Sequence, residues 1–132
     1  MKKVLITGAR IGIVRSTAVA FSKKGYRVIV NDILEEEGAD IVSEINKAGG
    51  TAKFYFLDVT STENANSVVE SVEKEFGVID TIVCNAGIAH KVPLDQLTDE
   101  KWDYLFDIDL KGMFKVIRPA LASMKSAKTG SI

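Results

Sequence analysis

Four short runs of apolar residues, each closed by glycine, asparagine or aspartate, alternate with segments whose apolar residues recur at helical spacing. Val4-Leu5-Ile6 ends at Thr7-Gly8, Val28-Ile29-Val30 at Asn31-Asp32, Lys53 to Leu57 at Asp58, and Thr81 to Cys84 at Asn85-Ala86-Gly87. Continuous apolar runs of this length predict buried strands. Between them, the spacing of Ile13, Thr17, Ala20 and Phe21 predicts a helix from Gly12 to Lys24, with Gly25 as its stop. Glu35 to Ala48 reads as a second helix, with acids in its first turn and Gly49-Gly50 after its end. A third spans residues 62–76, capped by Thr60 or Ser61 and closed by Gly77. Pro93 to Leu97 is loop, and Thr98 caps a turn into one long helix from about Lys101 to Lys125. The order β-α-β-α-β-α-β-α, with strands apolar on both faces, predicts an α/β fold with a parallel sheet covered on both sides.

A chain of 132 residues suits one domain, residues 1–132. Its hydrophobic share of 46% and charged share of 27% are those of a globular protein. One cysteine excludes an internal disulfide framework and a cysteine-based zinc site, which suits a cytoplasmic setting. Met1-Lys2-Lys3 and the brief apolar run after it do not make a signal peptide, and no run approaches the ~20 residues of a membrane span.

The net charge of −1 conceals a segregation. Seven bases (Lys2, Lys3, Arg10, Arg15, Lys23, Lys24, Arg27) and no acid lie in residues 1–30, whereas all 18 acids fall within 31–110. The bases straddle apolar runs without interleaved aromatic residues, so no nucleic-acid partner is expected. The acid-free tail places cations near a helix C-terminus, where they complement its dipole.

In sheets of this kind ligands bind beyond the carboxyl ends of the strands, so the chemistry is sought just after each run. Thr7 to Ile13 joins the first strand to the first helix. Gly8 permits a tight turn, and Gly12 permits close approach of backbone to a ligand. The following helix directs its first amides and positive dipole end at that ligand, so a pyrophosphate fits. Asp32 stands 20 residues beyond Gly12, at the end of the second strand. A carboxylate there accepts hydrogen bonds from ribose hydroxyls and repels a 2′-phosphate, favouring NAD(H) over NADP(H). Arg10 softens that preference, but neither Ile11 nor Ile33 supplies a second base.

These residues resemble the short-chain dehydrogenase/reductase family over essentially all of the chain. Thr7-Gly8-x-x-x-Gly12-x-Val14 is similar to its cofactor motif, and Asp32 to its NAD-selecting acid. Asp58-Val59 matches the pair along the adenine ring. Asn85-Ala86-Gly87 matches the signature supporting the central strand and the nicotinamide side. Trp102-Asp103 and Asp107 to Gly112 align with the long helix before the active site. The resemblance implies a Rossmann-type sheet, four parallel strands in order 3-2-1-4 with helices on both faces, ending before a fifth strand that would begin near Gly130-Ser131-Ile132. It implies an oxidoreductase moving a hydride between a nicotinamide and a carbonyl or alcohol. Gly8, Arg10, Gly12, Ile13, Asp32, Asp58, Val59, Asn85, Ala86 and Gly87 are then the residues expected to bind the cofactor.

Three departures stand out. Val14 occupies a position that is glycine in the family, where a β-branched side chain is expected to crowd the cofactor or push the helix away. Asp109 replaces an asparagine that the family uses to organise a proton-relay water. The family's catalytic serine and Tyr-x-x-x-Lys pair have no counterpart: four residues after Tyr26, Tyr55 and Tyr104 stand Val30, Val59 and Ile108. The chain alone is therefore not expected to perform the family's reaction, and no catalytic residue is named. Two other classes stay open, a non-catalytic dinucleotide-binding or dimerisation module and a diaphorase-like oxidiser of NADH.

His90 cannot define a metal site alone and reads as a loop histidine, and no metal is expected. Cys84 reads as a small buried hydrophobe. Asp107 and Asp109, two apart on a helix, point to different faces and make no carboxylate pair. The long helix is apolar around most of its circumference, from Trp102 through Leu105, Phe106, Leu110, Met113 and Phe114 to Met124. One face covers the sheet, and the remainder predicts a homodimer formed through residues 101–125.

Overall fold

The computed structural model describes residues 1–8 and 12–132. Its sheet contains β1 (Lys3–Thr7), β2 (Arg27–Asp32), β3 (Thr51–Phe56) and β4 (Thr81–Val83), all parallel, in spatial order β3-β2-β1-β4. The helices are α1 (Ile13–Lys23), α2 (Glu35–Lys47), α3 (Thr62–Phe76), α4 (Asp99–Phe106) and α5 (Gly112–Ala127). Observed bounds fall within two residues of the expected ones for every strand and the first three helices. The third helix is capped by Ser61, whose hydroxyl accepts from Asn64 N at 3.1 Å, rather than by Thr60.

The alternation of strand side chains builds two cores. Val4, Ile6, Val28 and Val30 face α1 and α2 and pack with Val14, Ala18, Ile41 and Ile45. Leu5, Ile29 and Ile82 face the other side, where they meet Val68, Val69 and Val72 of α3 and Val116, Ala120 and Met124 of α5. A strand buried on both faces must be apolar at successive positions, which is why β1 and β2 read as unbroken runs. β3 forms an edge and carries Lys53 and Tyr55. Both engage Glu75 of α3, at 2.6 Å and 2.5 Å, which keeps charge along an otherwise open ladder.

Two helical expectations need correction. The buried face of α1 centres on Val14 and Ala18; of the expected stripe through Ile13, Thr17, Ala20 and Phe21, Phe21 packs against that core, whereas Ile13 and Ala20 are exposed. Rotation of α1 about its axis is set by contact with the strands, which short-range spacing does not reveal. The long helix is not uniform either: a π turn, Asp107–Lys111, separates α4 from α5. One extra residue per turn re-aims the side chains on either side of it. Past α5, Ser131 makes a single parallel bridge to Thr81 of β4, where the fifth strand is expected to begin. Among the described residues no helix is long and apolar enough to cross a membrane.

Candidate functional site

The carboxyl ends of β1, β2 and β4 are tied together by hydrogen bonds of both side chains and main chain. Thr7, buried at the end of β1, accepts through Oγ1 from the amides of Asn85 and Ala86, each at 3.1 Å. Asn85 Nδ2 donates to the Gly8 carbonyl at 3.2 Å, and Gly8 N donates to the Asn31 carbonyl at 2.8 Å. Gly8 has φ +82°, and a Cβ there would stand 2.8 Å from Ala86 Cα. Glycine is thus required twice, by its backbone conformation and by the approach of the Asn85-Ala86-Gly87 segment.

Gly12 precedes α1 with φ +48°, and a Cβ on it would meet nothing within 4 Å among the described residues. Toward those residues, space is left where the helix begins. The first helical hydrogen bond of α1 runs from Ser16 N to the Gly12 carbonyl at 3.1 Å. Amides of the first turn have no partner within a helix, and α1 has neither a capping side chain nor an acid in that turn. An uncapped, acid-free helix start beside a glycine is chemically suited to an anion. Ile13 stands at this point, its side chain turned to solvent. Arg10, expected beside it, lies outside the described residues, as does Ile11.

Val14 stands at the α1–sheet contact, where one of its two expected effects, displacement of the helix, would arise, and not in the ligand space. Its side chain is 2% exposed and belongs to the core formed by Val4, Ile6, Val28 and Val30. Its methyls point into the protein at the helix–sheet interface, which speaks against crowding of the ligand space; the expected displacement of α1 concerns this same interface.

Asp32 closes β2 nearly buried, and its Oδ1 accepts from Leu34 N at 2.9 Å, which shapes the turn into α2. Asp58 shapes its own loop in the same way, Oδ1 accepting from Thr60 N at 2.9 Å and from Thr60 Oγ1 at 2.7 Å. Its amide donates to Asn64 Oδ1 at 2.7 Å. Val59 turns inward against Gly112 of α5, where a Cβ would lie 2.8 Å from Val59 Cγ2. Along the sequence Thr60 stands only as a candidate helix cap and Gly112 only as the end of a motif, and Asn64 carries no signal beyond an Asp-x-Thr turn ahead of a helix cap.

The π turn settles the two aspartates. Asp109 Oδ1 accepts from Ile88 N at 2.8 Å, steadying the segment after Gly87, whereas Asp107 lies 3.8 Å from Lys115 Nζ. They engage different partners, as their spacing predicts. His90 is only half-exposed, and its Nε2 is buried without a hydrogen-bond partner among the described residues. Burial pushes the Cys84 thiol up from its ordinary value, which lowers its thiolate fraction at neutral pH.

Comparison with known proteins places this geometry. The family model described as short chain dehydrogenase matches residues 2–132. A 3-oxoacyl-(acyl-carrier-protein) reductase of Thermotoga maritima is 37% identical over 131 residues, which is 99% of this chain and 53% of that protein. A cyclopentanol dehydrogenase of Comamonas testosteroni is 33% identical over 131 residues, covering 99% and 52%. Among solved structures, an alcohol dehydrogenase from the archaeon Thermococcus sibiricus complexed with 5-hydroxy-NADP superposes with TM-score 0.91 at 26% identity, over 99% of this chain and 56% of that one. A metagenomic short-chain oxidoreductase in complex with NADP gives TM-score 0.92 at 28% identity, over 98% and 59%. The chain thus spans about half the length of the relatives it matches. With the motif-bearing strand ends, the 3-2-1-4 sheet and the family match in agreement, the chain belongs to the short-chain dehydrogenase/reductase family.

Proposed function

We propose that this chain is the dinucleotide-binding part of an oxidoreductase that moves a hydride between a nicotinamide and a carbonyl or alcohol. The observation that carries the reading is the joining of Thr7-Gly8 to Asn85-Ala86 beside the uncapped start of α1. In this reading Gly8, Gly12 and the Ile13 amide hold the pyrophosphate, with Arg10 nearby. Asp32 takes the adenosine ribose, Asp58 and Val59 flank the adenine, and Asn85, Ala86 and Gly87 line the nicotinamide side. The dinucleotide, when bound, supplies the hydride chemistry itself. The chain's own residues bind, orient and exclude water.

NAD(H) is the cofactor we propose, although the solved neighbours named above carry NADP or a hydroxy-NADP. Support comes from the carboxylate of Asp32 at the end of β2 and from the apolar, exposed Ile33 beside it. A 2′-phosphate would meet like charge there. Because no tyrosine here is followed by lysine four residues on, we propose that the chain alone does not reduce carbonyls.

Titration calorimetry with NADH and NADPH tests the binding claim. NADH binding tighter than NADPH is expected, with Asp32→Ala narrowing the difference; no binding of either overturns the reading. Turnover of NADH with carbonyl substrates would contradict the claim of incompetence. Oxidation with an artificial acceptor alone would instead mark a diaphorase-like enzyme, and binding without turnover a non-catalytic module.

The partner we propose is a second copy of this chain. Trp102, Tyr104, Phe106, Leu110 and Phe114 are exposed on α4, the π turn and the start of α5, and Trp102 stacks on Phe106 with ring centroids 4.6 Å apart. Tyr104, Phe106, Leu110 and Phe114 border a groove of about 720 Å³ whose lining includes none of the dinucleotide-site residues. A contiguous apolar surface of this kind on one helical run supports a self-complementary, two-fold contact.

A further inference from the structure

Lys115 is a buried cation that none of the functions above uses. It is 8% exposed, on α5, one position before the fully buried Val116. Lysine ordinarily extends its stem along a surface and keeps the ammonium in water. Here Nζ turns inward and donates to the main-chain carbonyl of Thr60. Its nearest carboxylate is Asp107 Oδ1 at 3.8 Å, across the π turn, a distance for charge attraction rather than a hydrogen bond.

The acceptor belongs to the loop that follows β3. That loop is pinned from its own side by the hydrogen bonds of Asp58 to Thr60 and of Asn64 to the Asp58 amide. From the other side it meets α5. Gly112 receives the Val59 side chain, and Lys115, one turn later on the same face, receives the Thr60 carbonyl. An apolar side chain at 115 would simply extend the packing of Val116 and Ala120. Burying an ammonium is costly unless it is bonded, so a lysine here serves the loop's shape rather than the core's stability.

We infer that Lys115 is a positioning residue for the adenine end of the site: its ammonium fixes the Thr60 carbonyl and thereby the backbone of Asp58 and Val59. This rests on the reading of Asp58 and Val59 as the residues flanking the adenine. Lys115 touches no part of the ligand; it acts through the loop.

Calorimetric titration of the protein with NADH and with AMP, in Lys115→Met and Lys115→Arg, provides the test. Met keeps the volume and removes the charge and the donor, whereas Arg keeps both. The expected result is AMP and NADH affinity about tenfold lower in the Met variant, the scale of one charged hydrogen bond, and recovery in the Arg variant. A purely structural role would lower the melting temperature but leave the affinity of the folded protein intact, and that outcome overturns the inference. Should the Met variant fail to fold, Lys115→Gln, which retains a donor without charge, is read by the same criterion: weakened AMP binding supports the role and unchanged binding overturns it. If the unsubstituted protein binds neither AMP nor NADH, the nucleotide reading itself falls, and this inference with it. If it binds both while the variants bind equally well, only the role of Lys115 falls.

Discussion

Gly8 and Ala86 approach so closely that a Cβ on Gly8 would stand 2.8 Å from the Ala86 Cα, although 78 positions separate them in the sequence. Gly8→Ala therefore faces both a collision with backbone and a left-handed φ of +82°. The conformation alone costs on the order of 1–3 kcal/mol in a residue with a side chain. We expect a lower denaturation midpoint and loss of NADH binding. Gly12→Ala meets no described atom within 4 Å, but φ +48° with ψ −80° lies outside the left-handed helical well, so it should cost on the order of 1–3 kcal/mol from backbone strain alone, without the collision, and leave the fold intact. Equal losses in the two variants would contradict the close-approach argument.

Val14→Gly tests which way the Val14 side chain points. The side chain is 2% exposed in the α1–sheet core, so its removal should destabilise the protein by roughly 3 kcal/mol, combining lost burial with glycine's poor helix propensity. Denaturant unfolding measures this directly. Restoring the family's glycine should not tighten NADH binding to the folded protein; a markedly tighter dissociation constant would show that Val14 does crowd the ligand.

Asp80 links the loop before β4 to the start of β1. Burial pushes its carboxyl up, but the Lys3 amide at 2.7 Å and the Lys3 ammonium at 3.0 Å outweigh that and hold it below its ordinary value. A carboxyl with a depressed folded-state pKa adds stability that is fully present above the unfolded value, about 3.8, and is lost as pH falls through the lower folded value. Melting temperature followed from pH 6 down to about pH 2 should therefore fall less steeply in Asp80→Asn than in the unsubstituted protein. Parallel curves would show that this pair contributes nothing to acid sensitivity.

Phe114 is 52% exposed on α5 and borders the groove proposed for a second copy. Sedimentation should find a dimer in the unsubstituted protein and a monomer in Phe114→Glu, with the circular dichroism spectrum unchanged because the residue packs little within its own chain. A concentration-independent monomer before substitution would sink the interface.

Much of the site was legible along the chain because its parts are punctuation. Gly8, Asp32, Asp58 and Asn85 each sit where an apolar run stops, and a run's end can be read without knowing what lies across from it. Lys115 and the π turn were not legible. A lysine between Phe114 and Val116 looks like the solvent side of a helix, and its burial depends on the Thr60 carbonyl, 55 positions away.

The sequence by itself determined the alternation of strand and helix, the strand ends that carry the glycines and carboxylates, and the absence of a tyrosine–lysine pair within these residues. Those features are set by short-range periodicity and turn chemistry, which act over a few residues. Only the tertiary structure decided that Val14 points into the core, that α1 presents Val14 and Ala18 rather than Ile13, and that the helix from Asp99 widens at Asp107 to send Asp109 to Ile88 and leave Asp107 facing Lys115. Each of these depends on how a helix is rotated against segments distant in sequence, and that rotation is fixed by packing and long-range hydrogen bonds rather than by the helix's own residues.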